Sequence, residues 1–323
     1  MKLLIPGGAG YIGSHMVRYA QEYGHEVVVL DDFSTGHEWA VKDCEILRVN
    51  LLDQDKLSRL LKGRHFDGVI HFAAKSLVGE SVKKPDLYYR NNVVGTLNLV
   101  NEMLNNDVNN LVFSSTAAIF GNPVTDKIAE DHPKNPINPY GQSKLMVENM
   151  LQDICFANDF NATCLRYFNA AGAHESGEIG EAHDPETHLI PNVLKAAISN
   201  DSNLKVFGDD YPTPDGTCVR DYVHVTDLAQ AHLLGLSRGR TENSGFSAYN
   251  LGNGNGFSVF EVIKATEMIV DQQIDYEIIT KRDGDPSMLV ADSSLARSKL
   301  EWSPGFERLN AIIKSAWSWH KKT

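Results

Sequence analysis

The chain has 323 residues, 42% of them hydrophobic, which is long enough for two domains or for one large domain with a satellite. A formal net charge of -12 argues against nucleic acid as a general partner, and no apolar run approaches the ~20 residues that a membrane-spanning helix requires. Cys44, Cys155, Cys164 and Cys218 show neither CxxC nor zinc-type spacing, so no metal centre is expected, and the thiols fit a reduced, cytoplasmic setting.

The first thirty residues read strand, glycine turn, helix, strand. Lys2–Ile5 is strand-like, with no basic-then-apolar leader before it, so secretion is not expected. Gly7-Gly8-Ala9-Gly10-Tyr11-Ile12-Gly13 follows, then a helix over Gly13–Tyr23 and a second strand over Val27–Leu30. The turn fits GxGxxG from Gly8 and also the wider frame Gly7, Gly10, Gly13. Glycine suits it because the turn is tight, the backbone must approach a pyrophosphate, and the helix must pack closely on the strand. Unpaired N–H groups at the helix start would face the phosphates. Asp31 stands 18 residues beyond Gly13, where an adenosine ribose would be held. Asp31 and Asp32 would repel a 2′-phosphate, and no arginine follows before Arg48, so NAD is expected rather than NADP. Pro6 lacks a backbone donor and is tolerable only because the strand is ending there.

The alternation then continues. Glu45–Val49 reads as a strand, Asp53–Leu61 as a helix, Val69–Phe72 as a short buried strand and Pro85–Leu104 as one long helix. Asn110–Ser114 and Thr163–Phe168 are the next strands. Such repetition predicts an α/β, Rossmann-type doubly wound parallel sheet covered on both faces. Ligands in that architecture collect beyond the carboxyl ends of the strands, where His71-Phe72-Ala73-Ala74 and Ser114-Ser115-Thr116 fall.

After Ala170 the regularity breaks. Gly172–His188 is a glycine- and acid-rich stretch, expected to be a binding loop or lid. Gly208–Asp221, containing Arg220, is a second irregular stretch, and residues 281–285 bring Arg282 into a turn. Val225–Leu236 and Ser258–Val270 read as amphipathic helices, and Arg308–His320 as a closing helix. The expected division is a nucleotide-binding domain over residues 1–170, joined by about 222–252, and a smaller α/β substrate domain over residues 171–323.

Between the strands at Asn110 and Thr163 lies Asn138-Pro139-Tyr140-Gly141-Gln142-Ser143-Lys144. Asn138 suits a helix N-cap and Pro139 a first helical residue. Tyr140 and Lys144 would then stack one turn apart on one face. Val147, Met150, Leu151 and Ile154 recur at helical spacing, with Glu148, Gln152 and Asp153 expected on the other side. An ammonium beside a phenol favours the phenolate, so the pair can make a general base. Composition alone gives roughly 0.6 such Tyr-x-x-x-Lys pairs, so the surroundings must carry the assignment.

The surroundings resemble the extended short-chain dehydrogenase/reductase family, and within it the epimerases that invert C4 of UDP-glucose and UDP-galactose. The resemblance runs through Gly7–Gly13, Asp31, His71–Ala74, Val78–Ser81, Tyr88–Asn92, Ser114–Thr116, Tyr140–Lys144, Arg166–Asn169, Tyr211–Thr213, Arg220–Val225 and Arg282–Asp285. It implies Tyr140 as base, Thr116 beside it on the sugar 4-hydroxyl, and Lys144 on the nicotinamide ribose, lowering the tyrosine pKa. It implies that Gly7, Gly10, Tyr11, Ile12, Gly13, Asp31, Asp32, Asn50, Leu51, Phe72, Ala73, Ala74, Asn91, Ser114 and Tyr167 line the NAD. Asn169, His188, Leu189, Phe207, Arg220, Arg282, Asp285 and Leu289 would hold the UDP-sugar, the two arginines gripping the diphosphate. It further implies a homodimer through the helices at Asn92–Leu104 and Tyr140–Phe156.

Four positions depart from the family pattern. Asn50 replaces a frequent aspartate. Ser76, not Lys75, matches the usual lysine. Phe120 replaces a tyrosine. Leu289 is intermediate between the bulky residue that restricts relatives to glucose and galactose and the small one that admits N-acetyl sugars. Epimerases for acetamido, pentose or uronate sugars are therefore alternatives. A 4,6-dehydratase would carry an Asp-Glu pair after the threonine, where Ala117-Ala118 stand. A non-catalytic NAD sensor on the same fold would not need to keep Thr116, Tyr140 and Lys144.

Overall fold

The computed structural model describes residues 1–199, 204–242, 245–282 and 285–322. β1 (Lys2–Pro6) leads through the glycine turn into α1 (Tyr11–Glu22), followed by β2 (Glu26–Asp31) and β3 (Glu45–Arg48). α2 (Gln54–Leu61), capped by Asp53 accepting from Lys56 N at 3.1 Å, precedes β4 (Gly68–His71). α3 (Val78–Lys83), α4 (Pro85–Tyr88) and α5 (Gly95–Asn105) come next, with a π turn, Tyr89–Val94, between the last two. The single long helix expected over Pro85–Leu104 thus carries a widened turn. β5 (Asn110–Thr116), α6 (Pro139–Ala157), β6 (Asn161–Tyr167) and β7 (Asn169–Ala171) follow. Then come α7 (Leu189–Ser199), β8 (Leu204–Phe207), β9 (Val219–His224), α8 (Val225–Glu242), β10 (Phe246–Leu251) and β11 (Gly256–Ser258). α9 (Val259–Val270), β12 (Tyr276–Ile279), β13 (Met288–Leu289), α10 (Ser294–Lys299) and α11 (Leu309–His320) complete the chain.

Seven strands make one sheet in the order β10-β6-β5-β4-β1-β2-β3, every pair parallel. Side chains alternate across it, as the pleat requires. Leu3, Ile5 and Val29 pack with Met16, Val17 and Ala20 of α1 and Leu228 and Leu236 of α8. Leu4, Val28 and Leu30 pack on the other face with Leu57, Leu99, Val100, Val147 and Leu151. The strand order reverses between β1 and β4, which opens a crevice beyond their carboxyl ends.

β9 pairs with β7, β11 and β13 in a smaller sheet, and β8 pairs with β12. β9 then runs without a connecting loop into α8, which lies against α1. Gly172–His188 is irregular, as expected, and it is strapped down. Tyr11 donates to Gly172 O at 2.6 Å, Trp319 Nε1 donates to Glu181 O at 3.3 Å, and His37 Nε2 lies 2.8 Å from Ala182 O. No described helix is long and apolar enough to cross a membrane.

Candidate active site

Helix α6 starts where the sequence puts it. Asn138 Oδ1 accepts from Gly141 N at 2.9 Å and Pro139 occupies the first turn. A Cβ on Gly141 would lie 2.4 Å from Ala118 O, so only glycine lets α6 begin hard against the end of β5. That closeness sets the Thr116 hydroxyl toward the Tyr140 phenol, where it can donate to the phenolate. Lys144, one turn on and 3% exposed, donates to Ser114 O at 2.7 Å and lies 4.6 Å from the Phe113 ring centre.

The electrostatics differ from the expectation. Burial raises the Tyr140 phenol above its ordinary value, and the bond to Thr116 is what lowers it. Burial drops Lys144 to about 7. The Lys144 ammonium donates to the Ser114 carbonyl, and with its own pKa brought down by burial it does not offset the burial of Tyr140. In the free chain, both groups are biased toward their neutral forms.

Glu148 also departs from expectation. Placed on the outer face of α6 by its charge, it is 2% exposed. It accepts from Ser115 Oγ at 2.6 Å and from Arg166 Nε and Nη2 at 2.9 and 2.6 Å. This buried pair ties α6 to β5 and β6 directly beneath Tyr140 and Lys144. A carboxylate four residues after Lys144, with an arginine inside a buried strand, was the signal for it.

Asn92 is a second unforeseen support. Its side chain accepts from Lys75 N at 2.8 Å and donates to Lys75 O and Ser143 Oγ, both at 3.0 Å. Ser143 in turn donates to Tyr140 O at 2.7 Å. The π turn sets Asn92 inward and leaves Asn91 half-buried, donating to Asn92 Oδ1 at 3.1 Å. Tyr167 and Ser114 share a short hydroxyl–hydroxyl bond at the ends of β6 and β5.

At the glycine turn, Gly7 has φ +78° and a Cβ there would lie 2.3 Å from Ala73 N. One on Gly13 would lie 2.0 Å from Gly7 O. Gly10 is different. Its added Cβ would meet only Gly7 O, at an ordinary 3.5 Å, so the chain's own packing does not demand glycine there. Gly10 caps α1 without a side chain and opens outward over the first-turn N–H groups, a cradle that suits a pyrophosphate.

Asp31 accepts from Ala9 N and Phe33 N at 2.9 and 2.8 Å, leaving further lone pairs for ribose hydroxyls. Burial raises its pKa. Asn50 donates to Asp32 and accepts from Leu52 N at 2.8 Å, so its amide already has partners in the chain. Leu51 turns into the core against Gly95 rather than into the crevice. Phe72 lies over the buried His232 ring at 4.6 Å, and Ala73 and Ala74 line the strand end. Tyr11 and Ile12 open α1.

The small sheet gathers several of the expected substrate residues. Leu289 stands beside Arg220 in register, and Asn169 beside Tyr222. Arg220 pairs with Asp285. The Arg282 guanidinium lies 3.7 Å from the Phe207 ring centre. Residues 283 and 284, inside the expected turn at 281–285, lie outside the described residues. Leu189 packs in the core under α7. His188 turns to Glu181 and Glu186 instead of the arginines. Partial burial alone would lower its pKa, but those carboxylates lift it to about 10.

The sequence profile of the NAD dependent epimerase/dehydratase family matches residues 3–252. UDP-glucose 4-epimerase of Halalkalibacterium halodurans is 48% identical over 322 residues, covering 100% of this chain and 96% of the relative. The crystal structure of UDP-glucose 4-epimerase from Bifidobacterium longum in complex with NAD+ and UDP superposes with a TM-score of 0.94 at 37% identity, covering 100% of this chain and 99% of that one. The UDP-Glc/GlcNAc 4-epimerase of Campylobacter jejuni gives a TM-score of 0.86 at 41% identity, covering 100% and 99%.

Proposed function

This chain belongs to the NAD dependent epimerase/dehydratase family, and from that premise we infer that it interconverts UDP-glucose and UDP-galactose by inversion at C4. What carries the reading is the conjunction of a Thr116 hydroxyl set toward the Tyr140 phenol, Lys144 one turn on, and an open glycine cradle. NAD is the cofactor and, when bound, supplies reversible hydride acceptance. We assign Gly10 and the first turn of α1 to its pyrophosphate, Asp31 to a ribose, and Phe72, Ala73, Ser114 and Tyr167 to the crevice beyond.

Tyr140 takes the proton of the sugar 4-hydroxyl as C4 is oxidised, and returns it once the 4-keto sugar has turned to present its other face. Thr116 holds that oxygen and stabilises the phenolate. An unperturbed phenol near pKa ~10 needs a shift of ~3 units, about 4 kcal/mol, to be half-ionised at pH 7. Burial in the free chain works against that shift, so positive charge on the oxidised cofactor is the counterweight. Arg220 and Arg282 hold the diphosphate, with Phe207, Asn169 and Leu189 around the nucleotide. Tethering by the nucleotide end leaves the sugar free to turn.

A second reading has Leu289 support. Its side chain is half-buried beside Arg220, and it is smaller than a residue that would close the site to an acetamido group. Purified protein incubated without added NAD, with UDP-galactose and separately with its N-acetyl analogue, distinguishes the two. Product from the first supports the main reading, and product from both adds the acetamido substrate. Tyr140→Phe should abolish turnover with UDP binding retained, and a fully active variant would discard the mechanism.

The division into a nucleotide domain and a substrate domain, and a cytoplasmic homodimer, belong to the same proposal. Exposed Val94, Leu97, Met146 and Phe156, the last 95% exposed, support a contact through α5 and α6. A monomeric mass by light scattering at micromolar concentration would refute it.

A further inference from the structure

The strap between β7 and α7 carries a cluster that no step of the reaction requires. Glu181, His183, Glu186 and His188 direct four ligand atoms at one another, all within 4.8 Å. Glu181 Oε1 lies 3.1 Å from His183 Nδ1 and 2.8 Å from His188 Nδ1. Glu186 Oε1 lies 2.9 Å from His188 Nδ1 and accepts from the backbone of Thr187 and His188. The other oxygen, Glu186 Oε2, belongs to a side chain only 4% exposed, has no hydrogen-bond partner, and stands 3.9 Å from His183 Nδ1. A buried carboxylate oxygen left at that distance from the nearest imidazole nitrogen is an acceptor without a donor, with lone pairs free for a cation.

We propose that Glu181, His183, Glu186 and His188 form a binding site for one divalent transition-metal ion of the zinc type. Two imidazole nitrogens and two carboxylate oxygens, with no sulfur, are borderline donors that zinc accepts in tetrahedral arrangement. Zinc bonds of about 2.0–2.1 Å imply donor separations of about 3.3–3.4 Å in a tetrahedron. The pairs now at 2.8–3.1 Å would open slightly and the widest would close. Side-chain rotation suffices for both. Two positive charges would neutralise the two carboxylates and give Glu186 Oε2 its partner. With four protein donors and no open position, the ion would be structural.

Its place in the fold defines what it would fasten. His183 meets the Tyr11 ring edge-on at 5.9 Å, and Tyr11 is the first residue of α1. The Tyr11 hydroxyl donates to Gly172 O at the other end of the strap, and α7 begins one residue after His188. An ion here would pin residues 172–188 to the start of α7 and across the glycine turn. The consequence for cofactor retention rests on the NAD assignment above; the metal site itself does not.

The test uses the full-length protein with its bound cofactor, prepared without a polyhistidine tag, treated with EDTA and desalted. Zinc sulfate is then titrated by calorimetry, and bound zinc and bound NAD are measured separately. One zinc per chain with a sub-micromolar dissociation constant is expected, together with a rise in Tm and slower proteolytic cleavage within 172–188. His183→Gln and Glu186→Gln should each weaken zinc binding at least 100-fold. X-ray absorption at the zinc edge of the unmutated protein should report nitrogen and oxygen neighbours only, which keeps the test valid if a variant fails to fold. Absence of stoichiometric zinc, or binding by both variants as tight as by the unmutated protein, would overturn the site. Zinc bound without protection of the strap would overturn the clamp, and NAD content decides the cofactor reading independently.

Discussion

Thr116→Ala tests the electrostatics of the site most directly. Thr116 supplies the hydrogen bond that lowers the Tyr140 phenol against its burial. A hydrogen bond to a charged oxygen contributes about 1.5–3 kcal/mol. At 1.36 kcal/mol per pKa unit, its loss raises the phenol by about 1–2 units. Turnover needs the phenolate, so kcat climbs as pH rises through that pKa. The acid limb of the profile should therefore move to higher pH by about 1–2 units, and kcat on that limb should fall about 10–100-fold. The assay is kcat for UDP-galactose between pH 6 and 10, followed by coupled oxidation of UDP-glucose, with Thr116→Ser as the variant that restores the limb. A uniform loss of rate with the limb unmoved would refute the reasoning, because Thr116 would then hold sugar without touching the ionisation.

Three other outcomes follow from the geometry. Gly13→Ala should fail to give stable protein, since its Cβ would lie 2.0 Å from Gly7 O, whereas Gly10→Ala should fold with the Tm of the NAD-free unmutated protein and retain no NAD; the reverse pattern would break the cradle assignment. Glu148→Gln leaves Arg166 buried and unpaired, so unfolding free energy in urea should drop by about 3–5 kcal/mol, and a loss under 1 kcal/mol would show that the pair is dispensable. Burial holds His15 and His232 at about 4 and His71 and His224 at about 3. These folded-state values lie below the unfolded value of about 6.5, so the neutral rings favour the native state above pH 6.5 and that advantage is lost as pH falls toward 4. Each should remove about 2 kcal/mol of stability by pH 5, and urea midpoints unchanged between pH 7 and 5 would contradict it.

Local signals in the sequence carried the large sheet except its edge strand β10, and the start of the reacting helix. Asn138 and Pro139 position Tyr140 through a cap and a fixed φ, which three residues suffice to specify. The glycine turn is likewise local. The small sheet was not legible, because β9 finds β7, β11 and β13 far along the chain, Asp221 opposite Gly256 and Val219 opposite Met288, and each partner is only two or three residues long. Glu148 was misplaced for a related reason. Charge at one helical position suggests solvent unless its partner is known, and Arg166 arrives from another strand. The π turn that selects Asn92 over Asn91 is a local one-residue insertion in the helical ladder that periodicity cannot register. His188, assigned by resemblance, belongs with neighbours of its own strap.

The unbroken passage of β9 into α8 has a mechanical result. Arg220 stands on a strand that continues directly into the helix packed against α1, so this arginine and the glycine turn are joined through one continuous rod.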